Sequence, residues 1–202
     1  MNMAERIRRA NDHGFTLVEL LVALAIVSIV TGGIYSAYSS QQKTYVIQED
    51  VASMQQNLRA AMYYLEREIR MAGYDPTDSG QFGLQASGSD GRVTDANNIC
   101  FTVDDDEDGV VDNTENEQVA FRVDTNGNLQ RYSTGAVKWN TVAENVNALN
   151  FVYLDGDNNV TTTLSQVRSI EITLQARTER TAPGYLRQKT LTTRVRCRNL
   201  GV

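Results

Sequence analysis

The chain has 202 residues, 41% of them hydrophobic, with 19 basic and 25 acidic side chains and a net charge of −6. That length supports one folded domain with a real core plus one extra segment, and the acidic balance argues against a general nucleic-acid-binding role. His13 is the only histidine, so the chain beyond it cannot build a Ser-His-Asp triad, a Cys-His pair or a His-ligated zinc site. Two cysteines are too few for a disulfide-rich scaffold and enough for one bridge in an oxidising compartment.

Residues 1–14 are polar and carry Arg6, Arg8 and Arg9; an apolar run follows from Phe15 to Val30 and continues more weakly to Tyr38. In an ordinary secretory signal a small-residue cleavage site follows the apolar region. Here no Ala-x-Ala follows, and the run passes directly into a polar helix-forming stretch, so the apolar segment is expected to be retained. At about 1.5 Å per residue it is long enough to cross a ~30 Å hydrocarbon core. The arginine-bearing side should face the cytoplasm, which puts the rest of the chain outside the inner membrane.

From Ile47 the apolar residues Val51, Met54, Leu58, Ala61, Leu65, Ile69 and Ala72 recur three or four apart, one stripe of an amphipathic helix. Gly73 and Asp75-Pro76 stop it. After a Gly/Ser-rich loop from Asp78 to Gly91 the period changes to two: Ile99-Phe101-Val103, Val119-Phe121-Val123, Leu149-Phe151-Tyr153, Ile170-Ile172-Leu174 and Leu191-Val195 predict strands. Asn126-Gly127 predicts a hairpin between Val119–Val123 and Leu129–Tyr132, and Asp155-Gly156 predicts another. The predicted fold class is α+β, one long helix on an antiparallel sheet. Its segments are a leader (1–14), a membrane-spanning or filament-core helix (15–38), an amphipathic continuation (39–73) and a β-rich globular domain (74–202).

The junction Gly14-Phe15-Thr16-Leu17-Val18-Glu19-Leu20-Leu21, continuing apolar to Ile29, resembles the N-terminus of the type IV pilin family. The resemblance implies that a prepilin peptidase cuts after Gly14 on the cytoplasmic side and methylates the new amine of Phe15. It also implies that the retained helix waits in inner-membrane lipid and later forms a filament core with other major and minor pilins or pseudopilins. Glu19 would then meet the N-terminal amine of a neighbouring subunit during docking. Independently of the resemblance, a carboxylate inside an apolar run is costly and needs a cationic or hydrogen-bonding partner; the blander reading is a side chain reaching the interface. The larger globular part and the ending Val195-Arg196-Cys197-Arg198-Asn199-Leu200 are similar to PilW-type minor pilins and J-type pseudopilins of type II secretion. One departure is the absence of a proline before Pro76; Gly32-Gly33 is either the weak point of the helix or a small-residue packing pair.

Asp104, Asp106, Asp108, Gly109 and Glu115 fit the calcium-loop pattern D-x-[DN]-x-[DN]-G-x5-E, with Asp112 at the ninth position. The expected Ca²⁺ ligands are the carboxylates of Asp104, Asp106, Asp108 and Glu115, the Val110 carbonyl, and Asp112 through water. Eight acidic and no basic residues lie between Asp104 and Glu117, so the loop repels itself without a cation. Against this stand strand-like flanks where an EF-hand has helices; the alternative is a solvated acidic loop. Cys100 and Cys197 are both expected in exported strands, where a disulfide is permitted. Cys197 shares the inward face of Leu191 and Val195 while Cys100 alternates with Ile99 and Phe101, so two buried thiols are the other outcome.

Arg194, Arg196 and Arg198 alternate along one strand face with no aromatics interleaved, as expected of a solvated face rather than a phosphate-binding ridge. The function expected from all this is non-enzymatic: a minor pilin that helps to initiate or prime a type IV pilus. The alternatives are a type II secretion pseudopilin, a pilus-tip binder of DNA or surfaces, and a membrane-anchored enzyme using carboxylates as acid and base.

Overall fold

The computed structural model describes residues 14–88, 92–112, 116–136 and 138–201. The leader, His13 and Glu115 therefore lie outside the described residues, apart from Gly14. One helix, α1 (Leu17–Arg70), precedes seven strands: β1 (Ile99–Thr102), β2 (Gln118–Val123), β3 (Leu129–Ser133), β4 (Lys138–Ala143), β5 (Val146–Leu154), β6 (Ser169–Arg177) and β7 (Gln188–Arg196). The class is α+β. Two compact units divide the chain between Val46 and Ile47.

In the first unit, residues 17–46 are helical with their apolar side chains exposed. An 18-residue window of α1 reaches a mean hydropathy of 2.4, and none of it is buried. Gly32 and Gly33 sit in regular helix, and a Cβ at either would touch nothing.

In the second unit, the predicted stripe is the buried face. Met54, Leu58, Ala61, Leu65 and Ile69, with Met62 beside them, join one core with Ile99, Phe101 and Phe121 and with Leu149, Phe151, Ile170, Ile172 and Leu174. Tyr64 meets Phe121 edge-on at 6.1 Å between ring centroids, a favoured aromatic geometry. The helix ends at Arg70, three residues before Gly73. Gly73 adopts φ +76°, its N–H donates to the Thr102 carbonyl at 2.9 Å, and a Cβ there would meet the Leu200 side chain at 2.7 Å; only glycine takes that φ without strain.

The strands form two antiparallel sheets rather than one: β1-β2-β3-β4 and β5-β6-β7. Period two fixes which face of a strand is buried and is silent on which strands pair. The break falls at Glu144-Asn145, where Asn145 takes φ +60° between β4 and β5. The Asn126-Gly127 hairpin is present between β2 and β3. Asp124 accepts the N–H groups of Asn128 (2.8 Å) and Asn126 (2.9 Å), and these bonds hold its carboxyl below the usual range. The Asp155 turn closes on a single bridge, Leu154 with Val160, before a short helical turn at Leu164–Gln166 leads into β6. Arg194, Arg196 and Arg198 are exposed, as expected of a solvated face.

Candidate functional site

Two regions carry the predicted site residues. At the helix start, Gly14 and Phe15 are exposed, and the Thr16 carbonyl accepts the N–H of Leu20 at 3.1 Å, which makes Thr16 the N-cap of α1. The Thr16 hydroxyl oxygen accepts the Glu19 N–H at 3.2 Å, and Glu19 Oε2 accepts both the Thr16 N–H and its hydroxyl at 2.9 Å. This is a capping box. Glu19 therefore has its hydrogen-bonding partner within its own chain, and among the described residues its Oε1 accepts none. Thr16 was missed as a partner, although Thr-x-x-Glu before an apolar run is the sequence sign of this motif.

The second region is the β1–β2 connection. Asp104 leaves β1 with its N–H donated to the Tyr74 carbonyl at 2.9 Å, just beyond the end of α1. Gly109 turns the chain at φ +78° so close to Thr77 that a Cβ would collide with its hydroxyl. Inside the turn, Asp104 Oδ2 accepts the Gly109 N–H (3.2 Å), Asp106 Oδ1 that of Asp108 (3.2 Å) and Asp108 Oδ1 that of Val110 (2.8 Å). These bonds fold the turn around Asp104, Asp106 and Asp108.

The carboxylate that the described fold adds to them is Glu117, at the entry to β2. Asp104, Asp106, Asp108 and Glu117 each place one oxygen within 4.8 Å of the others. Asp112 is not in that group; its N–H donates to Glu117 Oε2 at 2.8 Å. A solvated acidic loop would expose all four carboxylates, yet Asp104 and Glu117 are completely buried. Burial pushes the Glu117 carboxyl above its ordinary range, the N–H of Asp112 opposes that, and the nearby Asp112 and Asp106 carboxylates add to it. Two basic groups line an adjoining cleft of about 400 Å³ and are engaged elsewhere: Arg67 and Arg131 both pair with Glu68, at 3.2 and 2.9 Å. Nothing in the sequence pattern distinguishes Glu117 from the seven other acids of the stretch; only its position one residue before β2 places it inward.

No disulfide joins Cys100 and Cys197. Cys100 belongs to a separate small cluster with Ala120 and Tyr132, packed by Trp139. Cys197 lies in the main core, where its thiol donates to the Ile69 carbonyl at 3.8 Å. The bridge expected on compartment grounds is therefore not formed, because the two side chains leave their strands into different clusters.

Residues 48–197 match the family described as prepilin peptidase-dependent protein B, and residues 9–35 match the prokaryotic N-terminal methylation motif. A comparison with curated proteins returns no match.

Proposed function

Starting from the chain's membership of the prepilin peptidase-dependent protein B family, matched across residues 48–197, we propose that it is a minor pilin that helps to initiate or prime a type IV pilus. The family is pilin-like, structural rather than catalytic, and its dependence on the prepilin peptidase supplies one partner. Cleavage after Gly14 leaves Phe15 as the methylated N-terminus. The observation that carries the reading is the conjunction of the methylation motif at 9–35 with a helix that is apolar on every side and unburied over residues 17–38. A helix of that kind is stable only against lipid or other apolar helices. Lipid covers it in the inner membrane, with the globular domain periplasmic; other pilins cover it in the filament.

Glu19 acts in the exchange between those two environments. The capping box satisfies its Oε2 while the helix is in the membrane and leaves Oε1 to meet the N-terminal amine of a neighbouring subunit. Mass spectrometry of protein recovered from membranes or sheared filaments tests the reading. The expected mature chain begins with N-methylated Phe15 and occurs in pili at low abundance. A mature chain that starts after Val30 defeats the whole reading, and recovery in a secretion pseudopilus replaces the pilus assignment with the pseudopilin one.

A further inference from the structure

We propose that the β1–β2 connection is a Ca²⁺ site whose carboxylate ligands are Asp104, Asp106, Asp108 and Glu117, the last closing the site from the entry of β2. Two observations carry it independently. The first is the meeting of the four carboxylates, each with an oxygen within 4.8 Å of the rest. Oxygens bound to one Ca²⁺ at about 2.3–2.6 Å lie at most about 5 Å apart, so the spacing is that of a shared ion. The second is that Asp104 Oδ1 and Glu117 Oε1 are buried and accept no hydrogen bond, although both residues are entirely out of contact with solvent. A buried carboxylate oxygen without a partner is costly. Among the described residues no Lys or Arg pairs with any of the four, so protein cations do not offset the charge.

The donor set selects the ion. Only carboxylate oxygens converge here, without sulfur or imidazole, which calls for a hard cation. Four carboxylates on one acidic turn suit the larger, less demanding Ca²⁺ better than Mg²⁺, which keeps several waters and holds to octahedral geometry. The ion would fasten the end of β1 to the start of β2. Through the Asp104 N–H bond to the Tyr74 carbonyl it would also brace the end of α1. The site does not depend on the pilin reading, and a chain that ignores calcium leaves that reading intact.

The test uses the full chain in detergent, stripped with EDTA, then titrated with Ca²⁺ or with Mg²⁺ at equal ionic strength. Titration runs to about 10 mM, beyond the 10⁻⁴–10⁻³ M range of extracellular calcium modules. Melting temperature and the stoichiometry of bound ⁴⁵Ca are read together. The wild type is expected to bind one Ca²⁺ and to melt at higher temperature as Ca²⁺ rises, with a much smaller response to Mg²⁺. Glu117→Gln and Asp106→Asn should each weaken binding by at least about tenfold, as loss of a direct ligand exceeds loss of an outer partner. Asp106 is exposed, so its variant folds even if that of Glu117 does not. Equal responses to the two ions in wild type and Asp106→Asn, or no bound ⁴⁵Ca at 10 mM, overturn the site. Undiminished binding in a folded Glu117→Gln variant overturns the ligand set.

Discussion

Residues 17–46 and 47–70 belong to one helix and treat apolar side chains in opposite ways. In the first stretch Leu20, Leu24, Ile26 and Ile29 are all exposed; in the second, Met54, Leu58, Leu65 and Ile69 are buried and most outward positions are polar, with Tyr63 an exposed exception. Helix propensity does not separate them, since both stretches form regular α-helix. The difference lies in the width of the apolar surface: a stripe can be covered by one sheet-built core, whereas a surface apolar on all sides needs partners from outside the unit. The lesson is that a continuous secondary-structure element can hold two functions when its sequence period, and not its conformation, changes along its length.

The largest effect expected concerns the exposed stretch. Gly14→Trp should block processing outright and leave uncut precursor in the membrane, seen as a higher-mass band and an unmethylated terminus. Glu19→Val should come next, with cleavage and insertion preserved because the helix becomes more apolar, and filament incorporation lost. Glu19→Gln sharpens the point, since glutamine can keep the bond to the Thr16 N–H while losing the charge. If the Gln variant is incorporated like wild type, the capping box and not the charge is what assembly requires.

The comparison itself is tested by a pair of truncations. Leu65→Ala should destabilise the domain by about 2–5 kcal/mol, the usual cost of emptying a fully buried leucine site. Leu24→Ala should change domain unfolding by no more than about 0.5 kcal/mol, because its side chain supports no core in this chain. Trp139, the sole tryptophan, packs in the second unit and reports on both by fluorescence. Equal losses in the two variants would break the distinction between the stretches.

Much of this is legible in the sequence. The stripe from Ile47 to Ala72, in which Ile47 and Val51 are only half-buried, the Asn126-Gly127 hairpin and the opposite facing of Cys100 all follow from period and turn chemistry. β4 was not legible: Lys138–Ala143 is half-exposed and carries no apolar alternation, so it is a strand only because β3 pairs with it. The partition into two sheets was hidden because alternation identifies a buried face and not a neighbour. Glu117 was hidden for a related reason. In a stretch with eight acids the sequence shows where charge accumulates, while burial of one carboxylate depends on the strand that receives it.

The smallest effect expected tests the closed end of the core, where β7 meets the last turn of α1. Cys197 is buried against the Ile69 carbonyl, and burial pushes its thiol from an ordinary 9.0 up to about 12. The raised value means that the fold favours the protonated thiol. Its contribution to stability is complete below pH 9 and is lost as pH rises from 9 towards 12, because the unfolded chain releases its proton first. At pH 10 the loss is about 1 kcal/mol. Cys197→Ala removes the titrating group and adds a cavity cost that does not vary with pH. The stability advantage of wild type over Cys197→Ala should therefore be constant from about pH 6 to pH 8 and narrow by about 1 kcal/mol at pH 10. Over the same neutral range a maleimide should label Cys197 only as fast as the domain unfolds, since the thiolate is the reactive form. Rapid labelling at pH 7, or an advantage unchanged at pH 10, would show that solvent reaches Cys197 and that the core opens where β7 meets α1.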